Sequence, residues 1–516
     1  MPIVHAGDIN LNAQVVPNIL VRIVPPQVQL ITGVPTNVVG GVGTASWGPV
    51  GVAAIVGNHQ QYVRTYGPVM ARARDLGTLM ATAHQQGAQD LRLVRVTDGT
   101  DTAATVVVPT DAITVTARYS GTLGNRIRVV VSAGSKPNTW RAVVHLSEAG
   151  YLPEVFDNLA GTGNALWVAM ADAINNGQFG IRAPSEIIVA TAGAGTTAAS
   201  AATYALTGGT DGVTGVTDTS LIGQETTPRL GMYALRGSGA SIVALAECVD
   251  PTTWPAQVTF GRSEGAYMIA VGPKGDTVSN AVTTKSTAGI DDPAMKLLFG
   301  DWIYWLDSTN GQPERLVSPQ GFVAGRLATL SPEQSSLNKP IYNVVSTQRT
   351  KLARPYSDAD LQTLGQAGID VMTNPVPGGA YFGMRLGRNT SSNPVIRGDN
   401  YSRMTNFIAA TLDRGMGRFV GRLNSERVRG QAKVTLDAFL GAMMPLNPRT
   451  EDGMIEDFET KVDESNNPPN RRALGYLQAD VQVRYLGVIE FLVVNLEGGQ
   501  SVQITRTAIR PADAAA

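Results

Sequence analysis

Cysteine occurs once in these 516 residues, at position 248, so no disulfide can form within the chain. Cys248 lies in the apolar stretch Ile242 to Val249 and reads as a small buried hydrophobe rather than a reactive thiol. Charge is also sparse. Charged residues make up 16%, against a usual quarter, and 41 basic and 42 acidic residues leave a net charge of −1. No basic domain or tail stands out, which argues against nucleic acid as the main partner. No run of about 18 apolar residues is present, so no membrane-spanning helix is expected. The opening MPIVHAGDINLNAQ lacks a basic stretch followed by an apolar one, so it is not read as a secretory signal. A chain made and folded in a cytoplasm is the expectation.

Chemistry-bearing residues are scarce too. The histidines are His5, His59, His84 and His145, and none belongs to a zinc motif such as H-E-x-x-H. One G-x-S-x-G string occurs, GRSEG at 261–265, with Ser263 at the nucleophile position. A nucleophile elbow needs a strand before it and a helix after it. Here Gln257 to Phe260 reads as a strand, and Ala266 to Val271 as another, so a surface turn is expected. GPKGDT at 272–277 places its lysine before the second glycine and fails as a phosphate loop. VGGVG at 39–43 reads as a flexible or close-packed turn, and GGTDG at 208–212 as a junction turn too short for a calcium loop. Asp291 and Asp292 before Pro293 suit a helix start. No catalytic, cofactor-binding or metal-ligating residue is assigned.

What is present is a length that calls for several domains and 43% hydrophobic residues. The thinly charged surface this implies fits either a larger buried fraction or coverage by other subunits. The front of the chain is apolar and β-branched: Val15 to Val24 reads VVPNILVRIV and is closed by Pro25 and Pro26. As a strand it places Ile19, Val21 and Ile23 on one face, with Arg22 on the other. It is either the first strand of a main sheet or an arm that pairs with another subunit's edge. A helix from about Asp75 to Gly87 and the strand Asp90 to Val96 give the α/β order. From 97 to 207 threonine, alanine, valine and glycine dominate, which reads as an inserted β-rich domain, close to low complexity near 191–205. The α/β pattern then resumes with helices expected at Ser241 to Val249 and Pro293 to Phe299, and strands at Ala266 to Val271 and Trp302 to Leu306.

Two long helices are expected near the C-terminus. One runs from about Tyr401 to Leu412, and the other from Ser425 to Met443 with Val428, Ala432, Leu436 and Phe439 on one stripe. Val481, Val483 and Tyr485 alternate along a strand. The apolar run Val488 to Leu496, containing Phe491 and Val493, is expected to pair with it as a hairpin. After Gly498 and Gly499, Ser501 to Arg506 carries Val502 and Ile504 and reads as a second terminal arm. The fold class is therefore α/β (α+β) and multidomain. Its divisions are 1–26 as an arm, 27–96 with 208–345 as the α/β unit, 97–207 as the insertion, 346–497 as a C-terminal unit, and 498–516 as the second arm.

These segments, in order, resemble the contractile phage tail sheath family, which also includes the sheaths of phage-like injection systems. The resemblance rests on ITGVPTNVVGGVGTASWGPV at 31–50, QQYVRTYGP at 60–68, ARYSGTLGNRIRVVV at 117–131, EVFDNL at 154–159, LTGGTDG at 206–212, LGQAGIDVM at 364–372 and GMRLGRNT at 383–390. The stretch 318–347 departs from the pattern. The resemblance implies a subunit without cofactor that polymerises helically, in hexameric rings, around a tail tube. Its other partners would be baseplate and tail terminator proteins, without nucleic acid or membrane insertion. The place implied is the virion tail, assembled in a bacterial host's cytoplasm. It further implies linkage by strand exchange, with Ile19, Val21, Arg22 and Ile23 in the front arm and Val502, Ile504 and Arg506 in the rear arm. Val481, Val483, Tyr485, Phe491 and Val493 would then form the accepting hairpin. A serine hydrolase built on Ser263 and another self-assembling shell protein are the alternatives.

Overall fold

The computed structural model describes residues 3–4, 21–22, 31–109, 111–445, 453–494 and 496. Its centre is a seven-stranded sheet. The strand order is Ile369–Asp370, Met295–Leu298, Tyr267–Val271, Ile242–Leu245, Val39–Gly43, Leu91–Arg95 and Ala53–Val56. All neighbours are parallel except Ala53–Val56, which runs antiparallel at one edge. Helices cover both faces, as a parallel sheet requires. Leu76–Gln85 and Gln320–Ala328 bury Leu79, Met80, Phe322 and Leu327 on one side. Trp254–Glu264, Val278–Ala288 and Asp358–Gln366 bury Trp254, Phe260, Ala281 and Leu364 on the other.

Burial on both faces explains three departures from the sequence expectations. Ser241 to Val249 contains the strand Ile242–Leu245 and not a helix. Pro293 to Phe299 contains the strand Met295–Leu298, so Asp291 and Asp292 precede no helix. VGGVG at 39–43 is not a turn but a fully buried strand near the middle of the sheet. Such strands read as continuous apolar runs, which periodicity cannot separate from buried helices. Glycine suits that strand because a Cβ on Gly41 would sit 2.8 Å from the Leu93 side chain and 3.0 Å from that of Leu79. The helix pair above it is also close: Cβ atoms on Gly321 and Gly325 would lie 2.8 Å and 2.3 Å from the carbonyl oxygens of Leu79 and Ala83.

Residues between Asp98 and Gly212 leave and rejoin this body through paired stems, the amide of Asp98 donating to the carbonyl of Gly212. They form a four-stranded and a three-stranded antiparallel sheet, with the helix Asn164–Asn176 burying Trp167, Met170 and Ile174 between them. That helix escaped the β-rich reading. Trp47 of the central body is buried in this outer core, edge-on to Tyr119 with ring centroids 5.4 Å apart. Arg95, fully buried, donates to the carbonyls of Gly48, Ser120 and Asp211 and closes the junction.

The C-terminal helices Asp399–Met416 and Glu426–Gly441 pack around Met404, Ile408, Phe439 and Leu440. Ser425 caps the second helix by accepting from the Val428 amide. Asp399 heads the first helix and enters a fully buried ion cluster beneath it. Lys296 lies 2.5 Å from Asp370 and 3.0 Å from Asp399, all three with no exposed side-chain surface.

Candidate subunit-docking surface

A hairpin flanks the C-terminal helices, but its strands differ from those expected. Asp480–Tyr485 pairs antiparallel with Ile455–Lys461, and the described residues of the run 488–496 take no part. The sequence hides this partner, because IEDFETK exposes Glu456, Asp457 and Glu459 and breaks strict alternation, whereas the apolar run downstream is the stronger strand former. Val481, Val483 and Tyr485 pack inward against the helices. Tyr485 stacks edge-on with Tyr401 at 5.7 Å, and its hydroxyl lies 3.1 Å from that of Thr405. Their side chains are thus covered within the subunit. Among the described residues neither strand has a second neighbour, so both backbone edges stand open.

Phe491 and Val493, expected in that hairpin, are instead in an irregular run beside it. Ile489, Phe491, Leu492, Val493, Val494 and Leu496 are each 74–92% exposed. Six large apolar side chains in eight positions are far more than isolated surface hydrophobes. Among the described residues no backbone group of 488–494 is hydrogen-bonded. Glu490 holds the run to the body, its carboxylate accepting from Arg388 at 2.6 Å and Arg397 at 2.8 Å. A hollow of 1010 Å³ opens beneath it, walled by Leu337, Leu361, Leu386 and the run itself.

Of the front segment, Val21 and Arg22 form a two-residue parallel pair with Ile3 and Val4. Ile19, Ile23, Val502, Ile504 and Arg506 lie outside the described residues.

The rival chemistry has a poor setting. Ser263 is inside the helix Trp254–Glu264, so Gln257 to Phe260 is helical and no strand–turn–helix elbow exists there. Its hydroxyl donates to the Phe260 carbonyl at 3.0 Å and accepts from Arg236 at 3.2 Å, and among the described residues no histidine is bonded to it. His59, His84 and His145 sit on other elements. Among the described residues no group of three or more His, Cys, Asp or Glu side chains is arranged to hold a metal ion, and no helix is long and apolar enough to cross a membrane.

The buried cluster resembles a catalytic constellation by composition alone. Burial would depress Lys296, but the carboxylates of Asp370 and Asp399 hold it above the usual lysine value. Burial would raise Asp399, yet Lys296, Ser336 and Tyr267 hold it below the usual carboxylate range. Asp370 also accepts from the amides of Val371, Leu386 and Arg388. These groups are mutually satisfied and closed to solvent, which makes a tie between the helix Asp399–Met416 and the sheet rather than a nucleophile.

No protein-family model and no curated protein sequence matches the chain. Solved structures do. A sheath tail protein from Desulfitobacterium hafniense superposes with a TM-score of 0.57 at 16% identity, covering 88% of this chain and 94% of the other. A sheath tail protein from Listeria innocua gives 0.57 at 14% identity, covering 84% and 90%. The contracted sheath complex of an extracellular contractile injection system, PVC, gives 0.54 at 9% identity, covering 95% and 99%. The chain has the fold of contractile sheath proteins.

Proposed function

We propose that this chain is a structural subunit that polymerises helically into a contractile sheath around a tail tube. The observation that carries the reading is the exposed apolar run 488–494, unpaired among the described residues, beside a hairpin that has two strands among them, in a chain with the sheath fold. Backbone pairing at an open edge supplies a tether, and alternate side chains supply specificity. The run is then the donor strand and not part of the acceptor. It leaves one subunit and adds to the Ile455–Lys461/Asp480–Tyr485 hairpin of a neighbour, together with the front arm around Val21 and Arg22. Val502, Ile504 and Arg506 extend this rear arm.

Burying six large apolar side chains is worth roughly 2 kcal/mol each, about 12 kcal/mol in all. Ordering eight residues costs on the order of 1–2 kcal/mol apiece, about 8–16 kcal/mol. The two nearly cancel, so backbone pairing at the neighbour's edge decides each link, and a lattice of many links makes it cooperative. Contraction then repacks rigid subunits from a metastable extended lattice to a lower-energy one while the links persist, driving the tube through a host envelope without nucleotide. The tube, baseplate and terminator proteins are the other partners, with assembly in a bacterial cytoplasm and residence in the virion tail. A phage-derived bacteriocin or injection particle would use the same subunit.

Negative-stain electron microscopy of the full chain across a concentration series, with and without tube protein, tests this. Hollow striated tubes are expected, and the double variant Phe491→Asp/Val493→Asp should form none while staying folded. Single small particles at every concentration, even with tube protein present, would refute the assignment.

A further inference from the structure

Glu490 is the lone charge in the apolar run 488–496, and it is the residue by which the run is fixed. Its neighbours Ile489 and Phe491 stand exposed, whereas the side chain of Glu490 keeps 27% of its surface, and those of Arg388 and Arg397 keep 14% and 29%. The two arginines are themselves firmly mounted. The Arg388 amide donates to Asp370, and its carbonyl accepts from Lys296, each at 3.2 Å. The Arg397 carbonyl accepts from the Asn389 amide at 2.8 Å, and the Asn389 side chain bonds Ser402 on the helix Asp399–Met416 at 2.8 Å. Arg388 therefore ties the exposed strand to the buried ion cluster of the central sheet through its own backbone, and Arg397 ties it through Asn389 to the helix that Asp399 heads.

We infer that Glu490, clamped by Arg388 and Arg397, is a positioning residue that mounts the intersubunit strand on the central sheet and fixes where it leaves the subunit. This rests on the reading of 488–496 as a donor strand. With the clamp closed, the free part of the strand starts at Phe491. With it open, the start retreats to the end of the hairpin at Tyr485, adding about five residues of slack, each reaching up to about 3.5 Å. A looser root lowers the effective concentration of the strand at the neighbour's edge and leaves more disorder to remove on docking. It also disconnects the link from the sheet, so a pull between subunits would stretch the hairpin's flank instead of moving the whole body. The ammonium and carboxylates below serve the same mounting, which gives the buried cluster a purpose beyond holding one helix.

The experiment is the critical concentration for tube formation of the full chain, by sedimentation, with whatever tube template the wild type requires. Glu490→Gln should raise it about tenfold, equivalent to about 1.4 kcal/mol per subunit added, with the melting midpoint unchanged. Arg397→Gln, which leaves the Arg388 pair, should give a smaller rise. Salt supplies a readout that a purely structural role would not move. Raising ionic strength from about 0.05 to about 0.5 M screens a partly exposed pair, so the wild-type value should climb toward that of Glu490→Gln, whose own value should move less. If Phe491→Asp/Val493→Asp still polymerises like wild type, the donor-strand reading falls and the inference with it. If that variant is dead while Glu490→Gln matches wild type in both critical concentration and salt response, the clamp alone is refuted. A lowered critical concentration would also overturn it, because it would make the clamp a restraint on assembly.

Discussion

Replacing Lys296 by methionine removes the one cation of a cluster that has no solvent contact. The two carboxylates left behind are not equally supported. Asp370 retains three backbone amides, from Val371, Leu386 and Arg388. Asp399 retains only the hydroxyls of Ser336 and Tyr267. Breaking one side of a buried ion pair costs about 3–5 kcal/mol, because the partner charge stays behind unpaired. At about 2–4 °C per kcal/mol for a unit of this size, the midpoint of the central sheet should fall by roughly 6–20 °C. Thermal melts followed by the fluorescence of the buried Trp302 and Trp305 report on that unit. The loss should depend on pH. In the wild type Asp399 titrates below its unfolded range, so its contribution is present above about pH 4 and lost only as pH falls through the depressed value. Lys296 titrates above its unfolded range, so its contribution is lost only as pH rises beyond about 10. The wild type should therefore be flat for this cluster between those limits. Without the cation, Asp399 binds a proton more tightly folded than unfolded, and the variant should regain stability as pH falls from about 8 to about 5. Adding Asp399→Asn to Lys296→Met should restore part of the loss at pH 8. A single variant within about 1 kcal/mol of wild type at pH 8, or one more stable than the double, would refute the account.

Burial pushes the Cys248 thiol up to about 12, so a thiol reagent at pH 8 should label nothing in the folded chain and one site in denaturant, counted by mass. Gly325→Ala should lower the melting midpoint by the equivalent of about 1–3 kcal/mol, because its methyl would press on the Ala83 carbonyl. Gly430→Ala, in the interior of Glu426–Gly441 with nothing within 4 Å of the new methyl, should instead stabilise by about 0.5–1 kcal/mol.

Capped or amphipathic helices were legible in the sequence and doubly buried strands were not. Glu426–Gly441, with its stripe of Val428, Ala432, Leu436 and Phe439, shows one wet face and one dry one, whereas Leu76–Gln85, buried over its first eight residues, is marked by its Asp75 cap and its helix-forming composition. Ile242–Leu245 and Met295–Leu298 are dry on both faces, and their alanine, leucine and methionine content favours the helix that is absent. Gln257 to Phe260 was lost to the opposite error, since the turn-like string around Ser263 masks a helix begun by Pro255 and closed by Gly265 at φ 64°. The hairpin and the exposed run were legible as composition but not as pairing. Nothing local says that Val481 pairs with Thr460, and Val483 with Phe458, across a connection that contains its own short helix. The signal that could have found the clamp is a single acid inside an apolar run, and Lys296 within AMKLLF at 294–299 is the same signal for the buried cluster.

The order of the central sheet also sets a timetable for the nascent chain. Its strands are gathered from Val39 to Asp370, and the cluster that locks it needs Asp399. At about 5–20 residues per second, a ribosome that has released Arg95 needs on the order of tens of seconds to deliver that last carboxylate. The outer unit, contiguous in sequence, can close during the wait, while the half-built sheet exposes parallel edges that find no partner until later. The apolar run around Phe491 leaves the ribosome only after the lock is available. On the donor-strand proposal, this rear arm, unlike the front arm around Val21 and Arg22, is released only once the body can lock, so synthesis itself delays the second of the two links.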